Sequence, residues 1–231
     1  MKRIGILAVA AAPVAAAALL ATPALAGAQT RASFRVEGVS KTLLPAKSVT
    51  VPTGGSITKG GTPKGSCPAN TAAGAFNVAT GGNWSGTYST GLGVEVTKIL
   101  GETNLFSKGH WWELFDNNRS AAVGICSLKV KPGDQLLFAA VASKGAAEFP
   151  IVISAPAAAA AGRSFQVKAS YFPSKSNKAK PLAGVSFTGV KGTTNAKGVA
   201  TVTATKPGKL SLVGSKPGEI RSAAATVVVS K

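Results

Sequence analysis

The amino-acid sequence predicts a mostly β protein in three parts: a signal peptide over residues 1–26, an α+β domain over residues 27–148 and an all-β sandwich over residues 149–231. Three observations predict this division. A positively charged start leads into an apolar run, period-two alternation with one helical segment follows, and short strands at regular spacing fill the last part.

The first 26 residues have the layout of a secretory signal peptide. Lys2 and Arg3 precede an apolar run over residues 4–20, and small residues over 24–26 provide a cleavage site after Ala26. The mature chain is therefore predicted to be secreted, either extracellular or associated with the cell wall. No later apolar run reaches the ~20 residues that cross a bilayer, which predicts no transmembrane segment in the mature chain.

Residues 27–148 alternate polar and apolar side chains over most of their length, which predicts strands. The predicted strands are 33–37, 43–51, an irregular hairpin over 84–97 in which Leu92, Val94 and Val96 share a face, then 110–115, 124–128 and 135–141. Glycine-rich residues 54–66 are expected to form a loop. Residues 70–80 have helical spacing, with Asn70 or Thr71 as the cap and Gly81–Gly82 as the end.

Cys67 and Cys126 are the two cysteines of the chain. In an oxidising compartment an even pair predicts one disulfide, and two free thiols or a metal pair are the alternatives. Because His110 is the single histidine, a zinc site has few ligands to draw on. A bridge would join the start of the predicted helix to the predicted strand 124–128.

Residues 149–231 contain short apolar runs separated by Pro, Gly and Asn, which is typical of a β-sandwich. The predicted strands are 151–153, 165–169, 185–187, 200–204, 210–212 and 224–229.

Residues 33–141 resemble a secreted bacterial domain of unknown function related to the C-terminal, β-grasp-like domain of transcobalamin and intrinsic factor. The matching segments are 34–38, the helix after Cys67 with Ala75 and Phe76, 99–102, 111–117, 124–126 and 132–138. The resemblance implies a β-grasp-like fold and a small planar ligand of the cobalamin type.

Residues 149–231 resemble a bacterial immunoglobulin-like or carboxypeptidase-regulatory-like module, on the segments 182–185, 193–200 and 206–208. Such modules serve as spacers or adhesive stalks, so the resemblance implies an immunoglobulin-like sandwich without an activity of its own.

Three tryptophans are the candidate ligand contacts: Trp84, Trp111 and Trp112. Neighbouring residues on a strand point to opposite faces, so one of Trp111 and Trp112 is expected in the core and the other outside. An outward ring could stack on a sugar or another planar ligand. The alternative is that both rings are packed inside.

The charge of the chain is strongly positive and unevenly placed. Residues 27–148 hold 12 Lys and Arg against seven acids, whereas residues 149–231 hold 12 against Glu219 alone. This balance predicts attraction to an anionic cell-wall polymer or extracellular polysaccharide, and a purely solubilising surface is the alternative. Few aromatic residues accompany the basic ones, which disfavours specific nucleic-acid binding. The candidate anionic-polymer contacts are Lys175, Lys178, Lys180, Lys191, Lys197, Lys206, Lys209, Lys216 and Arg221.

Catalytic groups are sparse. His110 and Glu113 are expected on opposite faces of their strand, and no G-x-S-x-G motif is present. Residues 116–118 resemble part of a calcium loop but lack its later acid. The sequence therefore predicts a secreted, non-enzymatic binding or surface protein without metal or cofactor. A small-ligand carrier is the alternative, and an extracellular hydrolase a further one.

Overall fold

The computed structural model describes residues 29–174, 176 and 178–231, so the predicted signal peptide and Lys175 lie outside the described residues. The chain is mostly β, as predicted, with a single α-helix among these residues. No strand before Glu148 pairs with a strand after it in the described part of the chain. We refer to residues 29–148 as the N-terminal unit and to residues 149–231 as the C-terminal unit.

The N-terminal unit contains two sheets and one helix. Its elements are β1 (Arg31–Glu37), β2 (Thr42–Thr50), α1 (Ala72–Ala79), β3 (Trp84–Ser89), β4 (Gly93–Ile99), β5 (Glu102–Thr103), β6 (His110–Asp116), β7 (Arg119–Ser120) and β8 (Gln135–Ala142). One sheet has the order β2-β1-β8-β6-β7, in which β1 and β8 run parallel and the other pairs antiparallel. The second sheet is β3-β4-β5.

An aromatic cluster joins α1 to the five-stranded sheet. The ring of Phe76, on the helix, lies 4.7 Å from that of Phe138, 4.9 Å from that of Trp84 and 5.5 Å from that of Phe34. All four side chains are buried. Their burial fixes the helix against one face of the sheet, since such rings remove large apolar areas from water.

The predicted disulfide between Cys67 and Cys126 is confirmed. It brings residues 124–128 against the start of α1, where the amides of Ala72 and Ala73 donate to the carbonyls of Leu128 and Ile125. The predicted side-chain cap is therefore wrong: the hydroxyl of Thr71 donates to Pro68 instead. The predicted strand 124–128 is also wrong, because this segment is a turn whose carbonyls satisfy the helix.

The C-terminal unit is all β among its described residues. Its strands are β9 (Val152–Ser154), β10 (Ala158–Ala160), β11 (Ser164–Tyr171), β12 (Lys180–Pro181), β13 (Ser186–Phe187), β14 (Val199–Thr203), β15 (Gly208–Leu212), β16 (Gly214–Ser215) and β17 (Ala225–Ser230). The sheet β10-β17-β15 and the sheet of β9, β11, β12 and β14 contribute buried side chains to one common core. Sequence analysis missed β10, β12 and β16, each of three residues or fewer.

The two units are in contact through the outer face of the five-stranded sheet. Ile220 of the C-terminal unit is buried against a cluster that includes Phe115 and Leu137 of the N-terminal unit. The guanidinium of Arg119 lies 4.1 Å from the ring centroid of Phe172 across the same boundary.

A buried charge cluster joins the same two units. Glu37, whose side chain is 2 % exposed, accepts hydrogen bonds from Arg35 Nη1 at 2.8 Å and from Arg221 Nε at 2.9 Å. Arg221 also donates to the carbonyl of Gly38, and its own carbonyl accepts from Arg35. The desolvation of Arg35 lowers its pKa, and the charge of Glu37 opposes that effect.

Candidate binding sites

The three candidate tryptophans have different environments. Trp84 and Trp112 are buried in the core of the N-terminal unit, whereas Trp111 is 36 % exposed. The Nε1–H of Trp84 donates to Asn77 Oδ1 at 3.0 Å, and Lys59 Nζ lies 5.3 Å from its ring centroid. Trp84 therefore fills a structural position, and Trp111 is the ring that faces outward.

A cavity of about 310 Å³ lies between β4 and the first half of β6. We call it the apolar slot. Its walls include the following residues: Val94, Val96, Trp111, Trp112, Ile125 and Phe138. The volume is at the lower end of the range for small-molecule sites, which are concave and mostly apolar.

The slot runs along an open strand edge. β8 covers one edge of β6 completely, but on the other edge β7 reaches only Phe115 and Asp116. The carbonyl of Leu114 accepts from Ala121, and alternate residues of an antiparallel strand direct their backbone groups to the same side. The N–H and C=O of Trp112 therefore point towards the slot, where no strand pairs with them among the described residues.

The polar groups that line the slot are few and are not basic. Trp112 lines the slot, but its indole Nε1–H is buried within the unit and has no acceptor among the described residues. Glu113 accepts a hydrogen bond from Ser120, and burial raises the pKa of its carboxyl, while Glu95 is exposed. Two carboxyl groups and no Lys or Arg among the lining residues make this part of a basic protein locally acidic.

Three large apolar side chains are exposed around the slot. Trp111 and Val123 line it and are 36 % and 47 % exposed. Leu92 is 85 % exposed, and its carbonyl lies next to Gly124. The expectation that Leu92 shares the buried face of Val94 and Val96 is wrong, because Leu92 belongs to the turn between β3 and β4.

The candidate basic residues divide into three groups. Six of them are exposed: Lys178, Lys180, Lys191, Lys197, Lys206 and Lys209. Lys216 is half-buried and lines a cleft of about 630 Å³ between the two units. Arg221 is engaged with Glu37 and Gly38, an intramolecular role that the sequence analysis did not foresee.

Strand pairing gathers a further basic cluster at one end of the C-terminal unit. Ser164 pairs with Thr203 in one sheet, and Gly208 pairs with Val229 in the other. Hydrogen bonds from Ala161 to Ser230 and from Gly162 to Ala204 bring these ends of the two sheets together. The exposed basic residues at this distal basic end are Arg163, Lys206, Lys209 and Lys231. The sequence analysis did not select Arg163 and Lys231, because their proximity to Lys206 and Lys209 depends on the strand register.

The distal basic end lies far from the N-terminal unit. Phe149 and Phe172, which adjoin the N-terminal unit, are near the other end of β11, at Tyr171. The seven steps from Ser164 to Tyr171 span about 23 Å at the rise of a β-strand. A polymer could therefore contact the distal basic end without meeting the N-terminal unit.

A groove of about 590 Å³ adjoins the end of β14. Lys191 and the hydroxyl-bearing residues Thr201, Thr203 and Thr205 line it. An ammonium group beside hydroxyls can bind carboxylate or phosphate oxygens and sugar hydroxyls.

Glu219, the single acid of residues 149–231, is directed towards the boundary between the units. Its carboxylate accepts from the amide of Phe149 at 2.9 Å and lines the cleft near Lys216. Burial raises the pKa of Glu219, and the hydrogen bond from Phe149 opposes this shift. It therefore does not neutralise the distal basic end.

The structure does not bring the candidate catalytic residues together. His110 lines the cleft between the units with Glu148 and Glu219, whereas Glu113 lines the apolar slot. No group of three or more His, Cys, Asp or Glu residues placed to hold a metal ion occurs in the described part of the chain. Among the same residues, no helix is both long and apolar enough to cross a membrane.

Comparisons with known protein families and with curated protein sequences find no match for this chain.

Proposed function

We propose that this chain is a secreted, non-enzymatic binding protein whose C-terminal unit associates with an anionic polymer of the cell envelope. An anionic cell-wall polymer and an extracellular acidic polysaccharide share the required chemistry, which is a row of phosphate or carboxylate groups. The observation that carries the proposal is the distal basic end, where four exposed cations meet without an Asp or Glu of their own unit beside them.

The charges of this end are available to a partner. Glu37 forms ion pairs with Arg35 and Arg221, and neither pair uses a residue of the distal basic end. Four exposed cations at one end of the unit create a local positive potential that raises the concentration of polyanions nearby. The adjoining groove offers Lys191 and threonine hydroxyls to a bound polymer unit.

Salt-dependent binding to immobilised polymers tests the proposal. The mature protein should bind polygalacturonate and poly(glycerol phosphate) but not neutral dextran, and binding should weaken as salt shortens the Debye length from ~10 Å at 0.1 M to ~3 Å at 1 M. The quadruple change of Arg163, Lys206, Lys209 and Lys231 to Gln should weaken binding at least about tenfold.

A charge-matched control variant distinguishes the effect of where the cations lie from the effect of the net charge of the protein. The changes Lys41→Gln, Lys47→Gln, Lys64→Gln and Lys108→Gln remove the same number of exposed cations from the N-terminal unit. We expect this variant to retain most of the binding. Equal losses in both quadruple variants would mean that net charge alone acts, and binding to dextran would exclude an electrostatic partner.

Carriage of a small planar ligand is a second candidate function. The apolar slot favours it, because an outward tryptophan and exposed apolar side chains surround a cavity of small-molecule size. This function would be located in the N-terminal unit and is independent of the distal basic end.

A further inference from the structure

We infer that the cleft between the two units binds a short peptide through the free ammonium group and the free carboxylate at its ends. The ammonium group would lie between Glu148 and Glu219, and the carboxylate would meet Lys216. This site is separate from both the distal basic end and the apolar slot. Three observations carry the inference: both units form the cleft, its available charges have opposite signs, and those charged side chains have accessible polar atoms.

Both units form the walls of the cleft. The turn after β1 and the start of β6 line it on one side, and residues 215–221 line it on the other. Its volume of about 630 Å³ is within the range of small-molecule sites, which occur preferentially where domains meet. A ligand in this cleft would therefore contact both units at once.

A tight turn fixes the charged groups at the boundary. Lys216 and Glu219 are the ends of a turn that the amide of Glu219 closes by donating to the carbonyl of Lys216, and Gly218 has a positive φ within it. The amide of Phe149 donates to the carboxylate of Glu219 at 2.9 Å. Burial raises the pKa of Glu219; the hydrogen bond from Phe149 and the charge of Lys216 oppose this shift, whereas the charge of Glu148 adds to it. The charges of Glu148, Lys216 and Glu219 are therefore close enough to interact.

Three half-buried polar side chains line the cleft without a partner. The side chains of His110, Glu148 and Lys216 form no hydrogen bond or ion pair with any residue that the structure describes. Unlike the buried indole nitrogen of Trp112, the polar atoms of these three side chains are accessible to water. A half-buried charge loses part of its hydration, so a charged ligand group that replaces the lost water is favoured.

The available charges select a ligand that carries both signs. Glu37 and Arg221 also line the cleft, but they pair with each other. Glu148 and Glu219 remain as acceptors for an ammonium group, and Lys216 remains as a donor to a carboxylate. A ligand with a single charge would leave one of these contacts unmade. A peptide also has amide groups that can bond to the serine and threonine hydroxyls that line the cleft.

Four matched probes test the inference on the mature protein: trialanine, N-acetyl-trialanine, trialanine amide and the peptide blocked at both ends. Calorimetry should show saturable binding of trialanine and at least about tenfold weaker binding of each singly blocked peptide, because each loses charge-assisted hydrogen bonds. Proton spectra locate the site, since His110 is the single histidine of the chain and lines the cleft. Its imidazole signals should shift on saturation with trialanine.

Charge-removing variants assign the two contacts. Lys216→Gln should weaken trialanine binding about tenfold but leave trialanine amide binding nearly unchanged, because the amide has no carboxylate for Lys216 to bind. In the same way, Glu148→Gln should weaken the binding of trialanine but not that of N-acetyl-trialanine. Lys197→Gln and Glu95→Gln are the matched controls, since both residues are exposed outside the cleft.

Two kinds of result would overturn the inference. No saturable shift of the His110 signals with trialanine at millimolar concentration would refute the cleft as the site. Singly blocked peptides that bind as tightly as trialanine, or equal losses of trialanine and trialanine amide binding in Lys216→Gln, would refute recognition of the two end charges. The polymer-binding assay tests the distal basic end separately, so neither result affects the proposed function.

Discussion

Arg221 offers the sharpest test of how the two units are joined. Its guanidinium donates to Glu37 and to the carbonyl of Gly38, so Arg221→Leu removes two charge-assisted hydrogen bonds across the boundary. Each such bond contributes about 1.5–3 kcal/mol to stability. The side chain is 23 % exposed, so water replaces part of the loss, and Glu37 keeps Arg35 and Thr42 as partners. We therefore expect a loss of about 2–3 kcal/mol.

Urea unfolding followed by tryptophan fluorescence measures this loss of stability in the N-terminal unit. All three tryptophans belong to the N-terminal unit, whereas Arg221 belongs to the C-terminal unit. The fluorescence transition can therefore shift only if the docked C-terminal unit stabilises the N-terminal unit. Arg163→Leu is the matched control, since Arg163 is an exposed arginine at the distal basic end.

Glu37→Gln extends the test to the centre of the cluster. It leaves the 5 % exposed Arg35 without its counter-charge, which should cost about 3–5 kcal/mol. The double variant with Arg221→Leu should cost less than the two single losses together, because both break one cluster. If Arg221→Leu matches Arg163→Leu within about 0.5 kcal/mol, the reasoning about this boundary is refuted.

Three further predictions concern the N-terminal unit. Replacing Cys67 and Cys126 by Ser opens a 59-residue loop and should lower its stability by about 4 kcal/mol, measured as the shift of the urea transition. Gly74→Ala should destabilise by about 2 kcal/mol or more in thermal unfolding, because the added Cβ would lie 1.7 Å from the carbonyl oxygen of Ala69. Burial raises the pKa of Glu113, so the folded state favours its proton, and this contribution to stability is lost as pH rises from the ordinary value of 4.5 through the raised pKa. Glu113→Gln should therefore gain stability over the natural protein as pH rises through that window, measured as urea midpoints across pH.

Control variants and a pH series test whether each predicted effect has the assigned cause. Gly54→Ala should cost little, since no atom lies within 4 Å of an added Cβ there. A constant stability difference between Glu113→Gln and the natural protein at every pH would contradict the assigned direction of the pKa shift.

Local patterns predicted most of the long elements correctly. The alternation around Phe34 predicted β1, and the glycines after residue 80 predicted the end of α1, because both signals depend on neighbours in sequence. The prediction at residues 124–128 was wrong for the opposite reason. That segment is shaped by the amides of a helix some 50 residues earlier, which no local pattern reveals.

The candidate sites likewise divide into features that the sequence predicts and features that depend on the tertiary structure. The sequence by itself determined the mostly β class, the cysteine pair, the excess of positive charge after Glu148 and the presence of adjacent tryptophans. Only the tertiary structure decided that Trp111 is outside while Trp112 is buried, and that Arg221 binds Glu37. It also decided that Arg163 and Lys231 lie at one end with Lys206, since strand register sets which distant residues become neighbours, and sequence separation does not encode register.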